Sequence, residues 1–266
     1  MRARLTLCVL LFTALPAAAQ WQDYPLSKSV PRLPDGKPDI TAPTPRTAEG
    51  RPDLSGVWWV AHTGEENDLT GPPPKFLVNL AADLKPDDLQ MLPWAAAVLK
   101  REGALLGLNA PMAKCLPPGV PLNYTTPTPF KIVQTPELVV MLYEVANSFR
   151  QVFLDGRALP KDPNPTFVGY SVGTWEGDTF IVESNGFNDK TWLDGRGLPH
   201  TEALRITERY RRVDVGHLEI KVTIDDPRTY GKPWTATIPA ELLTNTDVME
   251  YVCAENEKSL QHMVGK

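Results

Sequence analysis

Four histidines and a scatter of carboxylates are the groups in this chain best suited to proton transfer or ligand binding. His200 stands in a long polar, Gly-rich stretch, NGFNDKTWLDGRGLPHTEAL. Asn185, Asn188, Asp189, Asp194, Arg196 and Glu202 are close to it in sequence, and Trp192 is its aromatic anchor. Imidazole changes charge near neutral pH, so His200 suits a general acid or base, with Asp194 or Glu202 orienting it. His200 and Glu202 are spaced i, i+2, which on a strand places both side chains on one face. That arrangement suits a dyad or a metal site. His62, in WWVAHTGEEND, follows an apolar run directly and is the second candidate. His217 falls at a turn and His262 near the end of the chain, positions that read as solvated. The structural alternative for the whole cluster is a loop pinned by its own Asp and Asn side chains.

These residues need a frame, and from Phe130 onward the chain supplies one. Short β-rich runs are cut by turn dipeptides: FKIVQ, LVVMLYEV, FRQVFL, FVGYSVGTW, TFIVES, ALRITERYRRV, HLEIKVTI, WTATIPA and VMEYVC. With SGVWWV they make about ten strands, spaced as in an antiparallel barrel or sandwich. Asp155-Gly156 and Glu176-Gly177 are tight-turn signals. One hairpin can be registered residue by residue. A turn at Asp214-Val215-Gly216 sets Arg211 opposite Glu219, Tyr210 opposite Ile220, Glu208 opposite Val222 and Arg205 opposite Asp225. Leu204, Ile206, Tyr210, Leu218, Ile220, Val222 and Ile224 then share an apolar face, and cross-strand charge pairs occupy the other. Arg209 opposite Lys221 is a blemish in that register. Glu208 falls on the apolar face, where a carboxylate must be paired or protonated. Glu144 shares parity with Leu138, Val140 and Leu142, and Arg150 is the obvious partner for either acid. As polar anchors in a barrel cavity, Glu144, Arg150 and Tyr210 would join Trp58, Trp192 and His62 in holding a ligand. Glu208 would join His200, Glu202 and Asp194 as an acid–base group.

The stretch PDLSGVWWV, residues 52–60, sits after a Pro-rich segment and before the strands. Gly56-Val57-Trp58 resembles the Gly-x-Trp of the first strand in lipocalin-like, or calycin-like, barrels. There the glycine lets the chain pass close under its neighbours while the tryptophan plugs one end. The expected fold is therefore all-β: a single antiparallel barrel over 53–266, with a Pro-rich arm at 20–52 and one helical insertion at about 84–103. In KPDDLQMLPWAAAVLKRE, Leu89, Leu92, Ala96 and Leu99 fall on one helical face, and Pro93 either kinks the helix or starts a second one.

MRARLTLCVLLFTALPAAAQ has a basic start, a short apolar core and small residues before a cut after Ala19, so residues 1–19 read as a signal peptide. Removing Arg2 and Arg4 leaves 25 basic against 32 acidic residues, a net charge of −7. That balance argues against nucleic acid and anionic membrane as partners, and no later run is long enough to insert in a bilayer. Cys115 and Cys253 are the two cysteines left after cleavage, and in an oxidising compartment they read as one disulfide.

PDLSGVW, CLPPGVP, DGR at 155–157, GYSVGTWEGDTFIVES, GFND, LDGRGLPHTEALRITERYRR, TIDDPRTYGKPW and EYVCAENEK resemble stretches of a large group of exported bacterial proteins of unassigned function. The resemblance covers nearly the whole mature length. It implies a periplasmic protein and no particular reaction. A P-loop, GxGxxG, HExxH and CxxC are all missing from the sequence. Three functions follow. The first is a periplasmic protein binding a small hydrophobic or aromatic molecule in its barrel, with no organic cofactor. The second is an acid–base or metal-assisted enzyme, an isomerase, lyase or hydrolase, working through His200 and neighbouring carboxylates. The third is an envelope protein whose arm docks a partner.

Overall fold

A computed structural model describes residues 30–60, 80–81, 84, 86–105 and 108–253. The expected signal peptide, the first residues of the arm, His62 and His262 lie outside them. The strands are β1 (Gly56–Trp59), β2 (Phe130–Gln134), β3 (Leu138–Tyr143), β4 (Ser148–Phe153), β5 (Tyr170–Glu176), β6 (Thr179–Asn185), β7 (Arg205–Arg212), β8 (His217–Asp225) and β9 (Trp234–Leu243). They form a closed barrel in chain order, with β1 pairing both β2 and β9. Closure leaves no free sheet edge among these strands. VMEYVC, expected as a tenth strand, is an irregular tail. It is held by Glu144, which accepts from the Met249 N–H at 3.0 Å, and by Asn147, which accepts from the Tyr251 N–H at 2.9 Å.

The barrel departs from an all-antiparallel order at one seam. β4 and β5 run parallel through Val152–Ser171 and Phe153–Val172. Asp155-Gly156 therefore opens a crossover, residues 154–169, rather than a hairpin. Between β5 and β6, Glu176 pairs Thr179 across Gly177-Asp178, the expected tight turn. The β7–β8 register holds at every pair from Arg205–Asp225 to Arg211–Glu219, and the Val213 N–H donates to the His217 carbonyl at 2.8 Å to close the turn. Arg209 does face Lys221, but its guanidinium reaches Glu176 at 2.8 Å on the neighbouring hairpin.

Alternation sets the interior. Val139, Met141 and Tyr143 of β3 point inward, and so do Ile220, Val222 and Ile224 of β8. Fully buried Leu, Ile, Val and Phe side chains each contribute about 1.5–3 kcal/mol. Trp58 is completely buried, donates its indole N–H to the Leu54 carbonyl at 3.0 Å and lies under the Arg212 guanidinium at 4.9 Å. Gly56 beside it has φ +152°, and a Cβ there would meet Leu242 Cδ1 at 2.5 Å. Glycine is thus needed where β1 crosses under β9, which explains its place two residues before Trp58.

The helical insertion is two helices, α1 (Pro86–Leu89) and α2 (Pro93–Ala104), with Pro93 starting the second. Proline at a first helical position has no N–H to lose. The buried face of α2 is Ala95, Leu99 and Glu102, and Ala96 is exposed. A buried turn, α3 (Leu122–Thr125), and two short 3-10 turns, Pro111–Lys114 and Val145–Asn147, add to the expected insertion. No described helix is long and apolar enough to cross a membrane.

The described part of the arm, 30–52, folds onto its own barrel. Arg46 grips Asp178 with two hydrogen bonds of 2.7 and 2.6 Å, and the Gly216 N–H donates to the Ile40 carbonyl at 2.7 Å. Cys115 and Cys253 form a disulfide across a sequence separation of 138.

Candidate functional site

The 186–204 connection from β6 to β7 is organised by acids that bind its backbone. Asp194 is fully buried and accepts the N–H groups of Arg196 at 3.0 Å and Leu198 at 3.3 Å, with the Arg196 side chain at 3.4 Å. Burial raises its carboxyl above the ordinary value, and Arg196 and the two N–H groups oppose that rise. Asp226, also buried, accepts from the N–H of Thr201 at 2.6 Å and the hydroxyl of Thr229 at 2.7 Å. The far end of the loop is thereby locked to the β8–β9 connection.

His200 sits inside this scaffold, 4 % exposed. Its Nδ1 lies 3.2 Å from the Thr201 carbonyl, which can only accept, so Nδ1 carries the hydrogen. Nε2 is left as an acceptor and meets the Thr191 hydroxyl at 2.7 Å. Burial depresses the imidazole pKa, while the Thr201 carbonyl, Asp226 and Asp189 pull it back up. The result is a neutral ring with both nitrogens engaged. Thr191 is itself 4 % exposed and has Gly119 against it, where a Cβ would come within 2.8 Å of the hydroxyl oxygen.

The orientation expected from the sequence is therefore corrected. Asp194 serves its own loop, and the charges acting on His200 are those of Asp226 and Asp189. Glu202 lies in an exposed turn rather than on a strand, so the i, i+2 argument for a shared face does not apply. Glu144 stands just before the Val145–Asn147 turn and its carboxylate binds the tail, because the even-numbered parity of β3 faces outward.

His200 and Thr191 open onto a cleft of about 440 Å³. One wall is α2, with Trp94, Val98, Arg101 and Glu102, and the other is the loop, with Asp189, Lys190 and Trp192. Trp94 is fixed by an indole N–H bond to the Arg228 carbonyl at 2.8 Å. Glu102 is 4 % exposed, with one carboxylate oxygen held by Arg101 at 2.7 Å and the other without a hydrogen-bond partner. Sequence reasoning missed Thr191, Trp94, Glu102 and Asp226. Thr191 stands beside Trp192, and the loop's own aromatic anchor was the available signal. Nothing in local pattern tied α2 to this loop.

Glu208 belongs to a separate cluster inside the barrel. Its carboxylate meets Arg150 at 2.5 Å and the Tyr210 hydroxyl at 2.8 Å, and all three residues are at most 1 % exposed. Arg150 also donates to Ser171 at 2.8 Å and Ser184 at 2.6 Å. Burial alone would pull the guanidinium pKa down, and the charge and hydrogen bond of Glu208 outweigh it. Trp192 lines the cleft, whereas Trp58, Arg150, Tyr210 and Glu208 are interior residues. Among the described residues no group of three His, Cys, Asp or Glu is arranged to hold a metal ion.

No family model matches the chain, and neither a curated protein nor a solved structure does.

Proposed function

We propose that the protein is an exported, periplasmic, lipocalin-like binder of a small hydrophobic or aromatic molecule, held in the cleft between α2 and the 186–204 loop. One observation carries the reading. A cleft of about 440 Å³, within the usual size range of ligand sites, places the neutral His200–Thr191 pair beside Trp94 and Trp192. The tryptophans offer flat apolar surface, and the polar groups give orientation. The barrel interior, where the sequence favoured a ligand, is filled by Trp58, Phe130, Phe180 and Tyr210, so the ligand site moves to the barrel's flank. Export is supported by the signal-like start of the chain and agrees with a disulfide, which persists in oxidising compartments. Crystals soaked with small indoles and phenols test the site. Density against Trp94 and Trp192 is expected, and occupancy only elsewhere on the protein would contradict it.

A second reading, acid–base catalysis, is favoured by the tautomer of His200. Its basic nitrogen already takes the Thr191 hydroxyl, so a substrate proton reaches it through Thr191 Oγ1. Thr191 passes its hydrogen to Nε2 as its oxygen accepts one from the substrate, and Thr201 steadies the imidazolium. With a turned-over substrate in hand, Thr191→Val and His200→Gln should each lower kcat by about 100-fold or more, in the range of general acid–base catalysis. A Thr191→Val enzyme at full rate would rule out the relay.

A further inference from the structure

The cleft at His200 differs in chemistry from its floor to its rim. At the floor, His200 Nδ1–H is directed at the Thr201 carbonyl, so Nε2 takes the hydrogen of the Thr191 hydroxyl at 2.7 Å. The Thr191 oxygen has no second hydrogen to give, and toward the cleft it can only accept. Thr191 and His200 are both buried, where an unmatched polar contact is costly. A ligand seated against Thr191 therefore presents an O–H or an N–H.

Above the floor stand the two tryptophans. Trp94 is 42 % exposed although its indole N–H is fixed to the Arg228 carbonyl, so its ring is held open at the cleft. Trp192 packs beside Gly197, where a Cβ would lie 2.8 Å from Glu102 Cβ and 3.7 Å from the Trp192 ring. Rings held in place this way favour a flat aromatic partner.

The rim carries the charge. Arg101, Lys114 and Lys190 line the cleft together with Glu102 and Asp189. Arg101 is tied to Glu102 at 2.7 Å, which leaves two lysines against Asp189 alone. Both lysines are exposed, and among the described residues neither forms an ion pair. They come from separate elements, Lys114 from the Pro111–Lys114 turn and Lys190 from the 186–204 loop. The chain as a whole has a net charge of −5, so a cationic rim here is a local feature that attracts an anion.

Building on the ligand site described above, we propose that its ligand is an aromatic acid with a hydroxyl or N–H at the end of the ring opposite its carboxylate. The donor meets Thr191 Oγ1 at the floor, the ring lies against Trp94 and Trp192, and the carboxylate faces Lys114 and Lys190 at the rim.

Titration calorimetry at pH 7.5 with phenol, benzoate, 4-hydroxybenzoate and 4-hydroxybenzylamine tests the assignment. 4-Hydroxybenzoate should bind about 5-fold or more tighter than phenol, the scale of one or two exposed ion pairs. Lys114→Gln with Lys190→Gln should abolish that preference, and Thr191→Val should abolish the preference for 4-hydroxybenzoate over benzoate. Equal or tighter binding of 4-hydroxybenzylamine, or a preference that survives loss of both lysines, would overturn the acid assignment. If phenol binds, Val98→Trp blocks it and the carboxylate adds nothing, the acid assignment falls and the cleft stands as a ligand site. If none of the four compounds binds, both fall.

Discussion

His200 is a base kept neutral by burial, and that has a pH consequence of known sign. Its folded pKa lies below the ordinary 6.5. As pH falls, the unfolded chain takes the proton first, so the stability this residue contributes is complete above about 6.5 and drains away below it. Asp194 acts oppositely. Its folded pKa lies above the ordinary 3.8, so its burial costs stability as pH rises through that window and the cost is relieved below it. Wild-type Tm should therefore fall between pH 7.5 and pH 5, and His200→Gln should remove part of that fall. Identical slopes in both proteins would show that His200 titrates normally. How far the site was legible also shows at this scale. His200 and Trp192 announced themselves through a long polar loop with one imidazole and one large aromatic. The partners of His200 did not. A backbone carbonyl and a threonine hydroxyl leave no mark in a sequence, and Glu202, the nearest acid two residues on, points to solvent because the chain turns there instead of extending.

Strands carry their own signature, and most of the barrel could be read from it. The alternation in β7 and β8 fixed a register that the hydrogen-bond ladder reproduces, and it exposed Glu208 as an inward acid. The parity of β3 was misread, because LVVML is apolar on both sides and only the barrel's curvature decides which side is in. The parallel β4–β5 seam was hidden for a similar reason: a 16-residue crossover of Pro and Asp says nothing about strand direction. The inward acid gives a prediction at this scale. Arg150→Met leaves Glu208 buried without its countercharge, and should cost about 3–5 kcal/mol in urea unfolding. Arg150→Met with Glu208→Leu replaces the pair by apolar side chains and should recover most of that loss. A double variant as unstable as the single one would mean that the two residues do not act as a pair.

Two connections hold the whole molecule together at long range. The Cys115–Cys253 disulfide ties the tail to the segment before α3, and a separation of 138 corresponds to about 5 kcal/mol in the chain-entropy description. Cys115→Ser with Cys253→Ser should lower Tm strongly, and an unchanged melt would show that the tail contributes nothing. The arm is the other connection. Arg212 sits against Trp58, donates to the carbonyls of Asp53 and Val215, and accepts at its own carbonyl from the Thr44 hydroxyl at 3.1 Å, so one buried residue joins arm, barrel end and β7–β8 turn. The described part of the arm, 30–52, is engaged by its own barrel, which argues against that part as a free docking segment. The proposed ligand site is the cleft between α2 and the 186–204 loop. The most direct measurement is native mass spectrometry of the protein purified gently from the cells that make it, beside a Val98→Trp variant that fills the cleft. A small organic adduct on the wild type that disappears in Val98→Trp is the predicted result. A bare wild-type mass, or an adduct retained equally by the filled variant, would contradict a ligand site at His200.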